Sequence, residues 1–281
     1  MANNRVNVPA VGVLGLGQIG GSLCAALHTG TAQHRVGAFD PIERLCKAAI
    51  ERSIIDRIHE DEAELIEASN IIVIATHIDT CLTILARYRD LLRAKALVFD
   101  VGSIKAEICN KADQFELRNF IGAHPIAGTE RVPPEAWDAR LFAGARFLYC
   151  ESDKLSNTSR VLFERILNTI DARGEAISPE ENDFQFGLTI GLPHVFAYLL
   201  RLMRVEQERS RGSFEALVGP SYRSATRVAD SDPSMVEQML WHNRKDLSRH
   251  LKSLQARLAD LRLSLDCGNR DALRALIDND R

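Results

Sequence analysis

Three features of the sequence predict an α/β fold in which an N-terminal Rossmann-type doubly wound sheet, residues 1–178, precedes an all-helical C-terminal domain, residues 179–281. From Val8 to about Pro179, short and nearly continuous apolar runs alternate with amphipathic segments of helical period. Strands of that kind are buried on both faces, as parallel strands between two helical layers are. The first run opens onto Gly15-Leu16-Gly17-Gln18-Ile19-Gly20. After Ser178 no strand pattern remains, and 281 residues exceed what one core usually fills.

In chain order the predicted strands are 8–15, 35–40, 70–77, 94–101, 119–124, 145–151 and 174–178. Between them, stretches such as IERLCKAAIERS and LSNTSRVLFERILNTI repeat apolar residues at helical spacing. Ser178-Pro179-Glu180-Glu181 reads as an N-cap, a proline at the first helical position and two acids facing the helix dipole. Asp232-Pro233 starts a long helix running to about Leu265. Met239, Leu247, Leu251, Leu254, Leu258 and Leu261 recur along it at helical spacing and read as core or subunit interface, so a homodimer is expected.

Composition bounds the function. With 46% hydrophobic and 26% charged residues the chain is an ordinary globular protein, and a net charge of -3 gives no basic field for nucleic acid or an anionic membrane. The six cysteines show no CxxC pair and the eight histidines no ligand spacing, so no metal is expected. The cysteines read as reduced, mostly buried thiols of a cytoplasmic protein. The opening MANNRVNVPAVGVLGLG has no small-residue cleavage site, and no run approaches ~20 uninterrupted apolar residues, so neither a signal peptide nor a membrane span is expected. A small-molecule substrate is the remaining expectation.

A lone GxGxxG is weak, but here a strand precedes it, the helix GGSLCAALHTG follows, and a second strand ends in Asp40, twenty residues beyond Gly20. Gly15 permits the tight turn, Gly17 lets backbone amides approach a pyrophosphate, and Gly20 lets helix and sheet pack closely. Gln18 and Ile19 complete the loop. Asp40 would accept hydrogen bonds from the ribose hydroxyls and repel a 2′-phosphate, which predicts NAD over NADP, although Arg44, one helical turn on, could admit a phosphate.

Four polar residues stand where such folds do chemistry. Ser103 follows the strand VFDV and His124 closes the strand NFIGAH, both at carboxyl ends of strands, where open sheets bind ligands. His194 lies in the apolar segment GLTIGLPHVFAYLL behind Pro193, which can kink the chain, and Arg227 lies in SYRSATRVADSDP. Each also has an ordinary reading: His124 as a loop histidine bonded to backbone, His194 as a satisfied core histidine, Ser103 as the cap of the helix starting at Ile104, Arg227 as a surface partner of Asp230 or Asp232. The residues taken singly leave both readings open.

GLGQIGGSL, DVGSIK, GAHPIAGTE, GLPH and TRVADSDPSM, in this order and at these separations, resemble the prephenate/arogenate dehydrogenase (TyrA) family of tyrosine biosynthesis over nearly the whole chain. The resemblance implies that a cyclohexadienol gives a hydride from C4 to NAD while CO2 leaves C1 and the ring becomes aromatic. It implies His124 as hydrogen-bond acceptor or base at the 4-hydroxyl, with Ser103 bonded to that hydroxyl and to His124. It further implies Arg227 on the ring carboxylate, His194 on the side chain, and Thr129 among the substrate contacts. A fused mutase or regulatory domain is not expected.

The chain departs from the family pattern in four places. Val218-Gly219-Pro220-Ser221-Tyr222 replaces a glycine-rich run, Val236 follows Met235 where tryptophan is common, Asn182 stands where SPEEHD has histidine, and Arg131-Val132-Pro133-Pro134-Glu135 differs from SGxE. These bear on which cyclohexadienyl substrate is used. A β-hydroxyacid dehydrogenase would instead carry a catalytic lysine in GLTIGLPHVFAYLLRLM, which has none. A non-catalytic NAD-binding sensor would need Gly15, Gly17, Gly20 and Asp40 but not Ser103, His124 and Arg227 together.

Overall fold

A computed structural model of the chain describes residues 9–30, 34–129 and 131–278. Val8 and the seven residues before it, in the stretch read for a signal peptide, lie outside the described residues, as do Glu130 of GAHPIAGTE and the C-terminal Arg281. The chain divides into two compact units, Met1–Asp183 with Asp230–Met239, and Phe184–Ala229 with Leu240–Arg281.

The first unit alternates strands and helices: β1 (Val11–Leu14), α1 (Gln18–Thr29), β2 (Val36–Phe39), α2 (Glu43–Glu51), β3 (Arg57–Ile58), α3 (Glu62–Ala68), β4 (Ile71–Ile74), α4 (Ile78–Arg87), α5 (Arg89–Arg93), β5 (Leu97–Asp100), α6 (Ala106–Gln114), β6 (Phe120–Pro125), β7 (Arg146–Glu151), α7 (Asn157–Thr169) and β8 (Arg173–Ala176). They form one sheet of order β3-β2-β1-β4-β5-β6-β7-β8, parallel except where β7 runs antiparallel to β6. All four residues of β1, β4 and β5 are buried, as strands covered on both faces must be. The edge strands β3 and β8 are exposed and carry Arg57, Arg173 and Glu175, which blunts them against further pairing. All seven predicted strands are present; the two-residue β3 is an addition.

One side of the sheet is sealed by aromatics. Phe163 on α7 stands edge-on to Phe99 of β5 at 5.4 Å and to Tyr149 of β7 at 5.4 Å between ring centroids. Such pairs add to the burial of apolar area and fix α7 against the sheet. All six cysteines are free thiols, four of them buried.

Beyond β5 a buried ion pair fixes the strand ends. Lys105 and Asp100 have side chains 0% and 1% exposed and are in direct contact. Lys105 Nζ also donates to the carbonyl of Ala123 on β6 at 2.7 Å, and the Gly102 amide donates to Asp100 at 2.8 Å. Burial pushes the Asp100 carboxyl upward, and the Lys105 charge opposes that rise.

The second unit begins within α8 (Pro179–Phe186), capped by Ser178 Oγ, which accepts from the Glu181 amide at 3.1 Å, as the sequence suggests. A π-helical turn, Gly187–Gly191, joins α8 to α9 (Leu192–Arg211). The turn lies just before Pro193, whose ring has no N–H and crowds the carbonyl four residues back, so a wider turn relieves it. α10 (Pro220–Thr226), α11 (Pro233–His242), α12 (Arg244–Asp266) and α13 (Arg270–Asp278) follow.

The structure corrects one expectation. The helix predicted from Pro233 to about Leu265 is broken at Asn243, whose φ of -93° and ψ of 5° leave the helical well. Among the described residues, the stretch Pro179–Arg211 is by length and composition apolar enough to cross a membrane, as core helices of globular proteins also are. Pro193, His194 and Arg201 punctuate the run, so it holds no ~20 uninterrupted apolar residues.

Removing one partner of a buried pair leaves an uncompensated charge, at a cost of ~3–5 kcal/mol. Lys105→Met is therefore expected to lower the unfolding free energy by about that amount in urea titrations, and adding Asp100→Asn should restore most of the loss.

Candidate active site

The glycine loop sits between β1 and α1. Gly15 has φ of +95°, and a Cβ there would lie 2.5 Å from the Ala75 carbonyl oxygen. A Cβ on Gly20 would lie 2.0 Å from the Gly15 oxygen, so helix and turn touch only because neither residue has a side chain. At Gly17 a Cβ would meet nothing within 4 Å. That open position at the N-terminus of α1 is what a pyrophosphate approaching backbone amides requires. Asp40 follows β2 with Oδ2 accepting from the Leu16 amide at 2.7 Å and Oδ1 from the Ile42 amide at 2.8 Å. Each carboxylate oxygen has a second lone pair, which leaves acceptor capacity for ribose hydroxyls. The loop and Asp40 thus fit a dinucleotide. Gln18 pairs with Thr129, taking the Thr129 amide at 2.9 Å and donating to its Oγ1.

Ser103 and His124 come together through residues that the sequence reading did not single out for chemistry. His124 closes β6 and is 6% exposed. Its Nδ1 lies 3.0 Å from Asn182 Oδ1, and Asn182 Nδ2 donates to the Ser103 carbonyl at 3.0 Å and to Asp183 Oδ1 at 2.9 Å. Those two acceptors settle which end of the amide faces the imidazole: the NH2 points at Ser103 and Asp183, so the oxygen faces Nδ1, and Nδ1 carries the proton. Nε2 is then the nitrogen with the lone pair. Burial moves the His124 pKa down to about 4; the Asn182 hydrogen bond opposes this and the nearby Lys105 charge adds to it. The ring is therefore neutral at pH 7.

Ser103 is half-buried and does not cap α6. Asp183 does so from α8, accepting from the amides of Lys105 at 2.7 Å and Ala106 at 3.0 Å. The signal for Asn182 and Asp183 lay in the SPEEND segment, read there only as a helix start and a departure from the family pattern.

His194 and Arg227 belong to the second unit. His194 is buried; desolvation lowers its pKa, and a hydrogen bond to the Val228 backbone opposes the shift. Its Nδ1 is buried with no partner among the described residues, so it is not the fully satisfied core histidine of the ordinary reading. Arg227 is exposed and opens the 3-10 turn Arg227–Asp230, which Arg201 supports through the Ala229 carbonyl at 3.1 Å. His194 thus holds the backbone beside Arg227.

A doubly wound sheet with this glycine loop defines the class of dinucleotide-binding oxidoreductase folds. The model of the "Prephenate dehydrogenase, nucleotide-binding domain" matches residues 23–176, and that of the "Prephenate dehydrogenase, dimerization domain" matches residues 178–279. The chain belongs to the prephenate dehydrogenase family. It is 26% identical over 233 residues to a prephenate dehydrogenase of Bacillus subtilis, covering 82% of this chain and 63% of that protein. It is 26% identical over 266 residues to a cyclohexadienyl dehydrogenase of Zymomonas mobilis, covering 94% and 90%. Its fold matches the prephenate dehydrogenase of Aquifex aeolicus, solved with hydroxyphenyl propionate and NAD+, with a TM-score of 0.90 at 22% identity, covering 98% and 97% of the two chains. Membership in this family sets aside the β-hydroxyacid reading.

The depressed His124 pKa links stability to pH. The unfolded chain binds a proton there near pH 6.5 and the folded chain only near 4, so the stabilisation is complete above about 6.5 and is lost as pH falls toward 4. Over that window His124→Asn should remove roughly one proton from the uptake on unfolding, measured by urea titrations at stepped pH.

Proposed function

We propose that this protein oxidises and decarboxylates prephenate or arogenate with NAD, yielding 4-hydroxyphenylpyruvate or tyrosine, in tyrosine biosynthesis. The observation that carries this reading is the neutral His124, its Nδ1 proton fixed by Asn182, which makes Nε2 the nitrogen whose lone pair would meet a substrate hydroxyl. Family membership supplies the substrate class. NAD would supply the hydride acceptor, and Gly15, Gly17, Gln18, Ile19 and Gly20 would hold it, with Asp40 accepting from the ribose hydroxyls.

His124 Nε2 would accept the hydrogen bond of the 4-hydroxyl and polarise its O–H as hydride leaves C4. The electrons of the C1–carboxylate bond enter the ring as CO2 departs, and the proton remains with the new phenol oxygen. Aromatisation drives the step. Ser103 orients the hydroxyl, and Thr129, whose O–H can still donate, contacts the substrate. Arg227 would fork onto the ring carboxylate, while His194 would reach the side chain. Residues 1–178 act as the NAD-binding domain and 179–281 as the substrate-binding and dimerisation domain.

The protein is further proposed to be a cytoplasmic homodimer that binds neither membrane nor nucleic acid. Leu202 and Met203 of α9, 53% and 60% exposed, and Leu263 and Leu265 of α12, 62% and 59% exposed, supply apolar surface of the kind subunits cover.

An NADH-absorbance assay with prephenate and arogenate offered separately should give turnover on at least one; NADH binding without turnover on either would favour a sensor. His124→Asn should lower kcat by ~10²-fold or more with NAD affinity intact, and near-normal turnover would remove His124 from the mechanism. Arg227→Ala should raise substrate KM roughly tenfold to a hundredfold, the worth of a charge-assisted bond. An unchanged KM would return Arg227 to the surface.

A further inference from the structure

Trp137 lies between β6 and β7 and has no part in the chemistry above. Its indole Nε1–H is shared between two successive carbonyls of the glycine loop, Leu16 O at 3.2 Å and Gly17 O at 3.1 Å. The ring fills the place of a side chain on the neighbouring helix, since a Cβ on Gly21 would lie 2.1 Å from Nε1 and 2.3 Å from Cδ1. Gly21 is outside the dinucleotide fingerprint, and the indole is what forbids it a side chain. Three contacts keep the indole in place. The Arg52 guanidinium lies 5.7 Å from the ring centroid, Arg52 Nη1 donates to the Pro134 carbonyl at 2.6 Å, and the Asp138 amide donates to Ser22 Oγ at 3.1 Å.

In a trans peptide the C=O and the following N–H point in opposite directions. The Leu16 carbonyl shares its peptide plane with the Gly17 N–H, and the Gly17 carbonyl shares its plane with the Gln18 N–H. Drawing the Leu16 carbonyl onto the indole therefore turns the Gly17 N–H away from it, and the Gly17 carbonyl, which the indole shares with the Gly21 amide at 3.0 Å, turns the Gln18 N–H the same way. These are the amides at the N-terminus of α1 to which a pyrophosphate would bind.

We infer that Trp137 is a positioning residue for the dinucleotide: it presets the Gly17 and Gln18 amides toward the pyrophosphate, so the loop does not have to be ordered when the cofactor binds. The inference rests on the NAD-binding reading, and the stretch that departs from the family pattern beside Pro133-Pro134 becomes the brace of that loop.

The test is binding, measured on the full chain by NADH fluorescence and by competition with ADP-ribose and with adenosine. Trp137→Phe keeps a ring against Gly21 but removes the donor. It should raise the Kd of NADH and of ADP-ribose roughly twofold to tenfold, the net worth of one neutral hydrogen bond, and leave adenosine affinity and substrate KM unchanged. In Trp137→Ala/Gly21→Ala the new methyl enters the vacated space, and the same loss is expected. If wild type binds no NADH, the dinucleotide reading itself fails. If wild type binds and both variants bind equally well, or lose adenosine as much as ADP-ribose, Trp137 does not position the pyrophosphate. Failure of both variants to fold would assign the indole to the core and overturn the inference as well.

Discussion

Lys105 holds the candidate site together. Its ammonium joins Asp100, at the end of one strand, to the Ala123 carbonyl, one residue before His124 on the next, while its own backbone amide is taken by Asp183. The desolvation of two buried charges nearly cancels their attraction, so the pair adds little to stability. It does fix a strand end, a helix start and a positive charge beside the imidazole. Had an apolar residue stood at 105, the strands would still pair, but the ammonium that ties the carboxyl ends of β5 and β6 together, and that adds to the burial keeping the His124 ring uncharged, would be missing.

Asn182 and Asp183 divide the remaining work between neighbouring side chains. The carboxylate terminates α6, and the amide, its own orientation dictated by that carboxylate and by the Ser103 carbonyl, dictates the tautomer of His124. A proton position at a candidate reaction centre is thus traceable to the first turn of a helix that starts more than fifty residues later in the chain.

The strands were legible in the sequence because buried parallel strands are written as uninterrupted Val, Ile and Leu, and the cofactor loop because its glycines stand between a strand and a helix. The dipeptide Arg57-Ile58 was not, since two residues have no periodicity. The break at Asn243 was hidden because leucines recur at helical spacing on its C-terminal side. Ser103, His124, His194 and Arg227 stand out by motif and strand-end position, whereas Asn182 and Trp137 do not. Their partners lie 58 residues away for Asn182 and about 120 away for Trp137, and no local spacing encodes such a pairing. The legible part is what the chain does with its neighbours in sequence; the rest is what the fold brings to it.

The cofactor role proposed for Asp40 is tied to a structural one. The carboxylate proposed to choose between cofactors already fastens the Leu16 and Ile42 amides. An engineer seeking to exchange one nicotinamide cofactor for the other would, by replacing it, also release the loop on which either must land. Altered preference at this position therefore calls for a compensating acceptor elsewhere. Evolution faces the same coupling: a substitution that alters the choice of cofactor at this position also removes a strut of the loop.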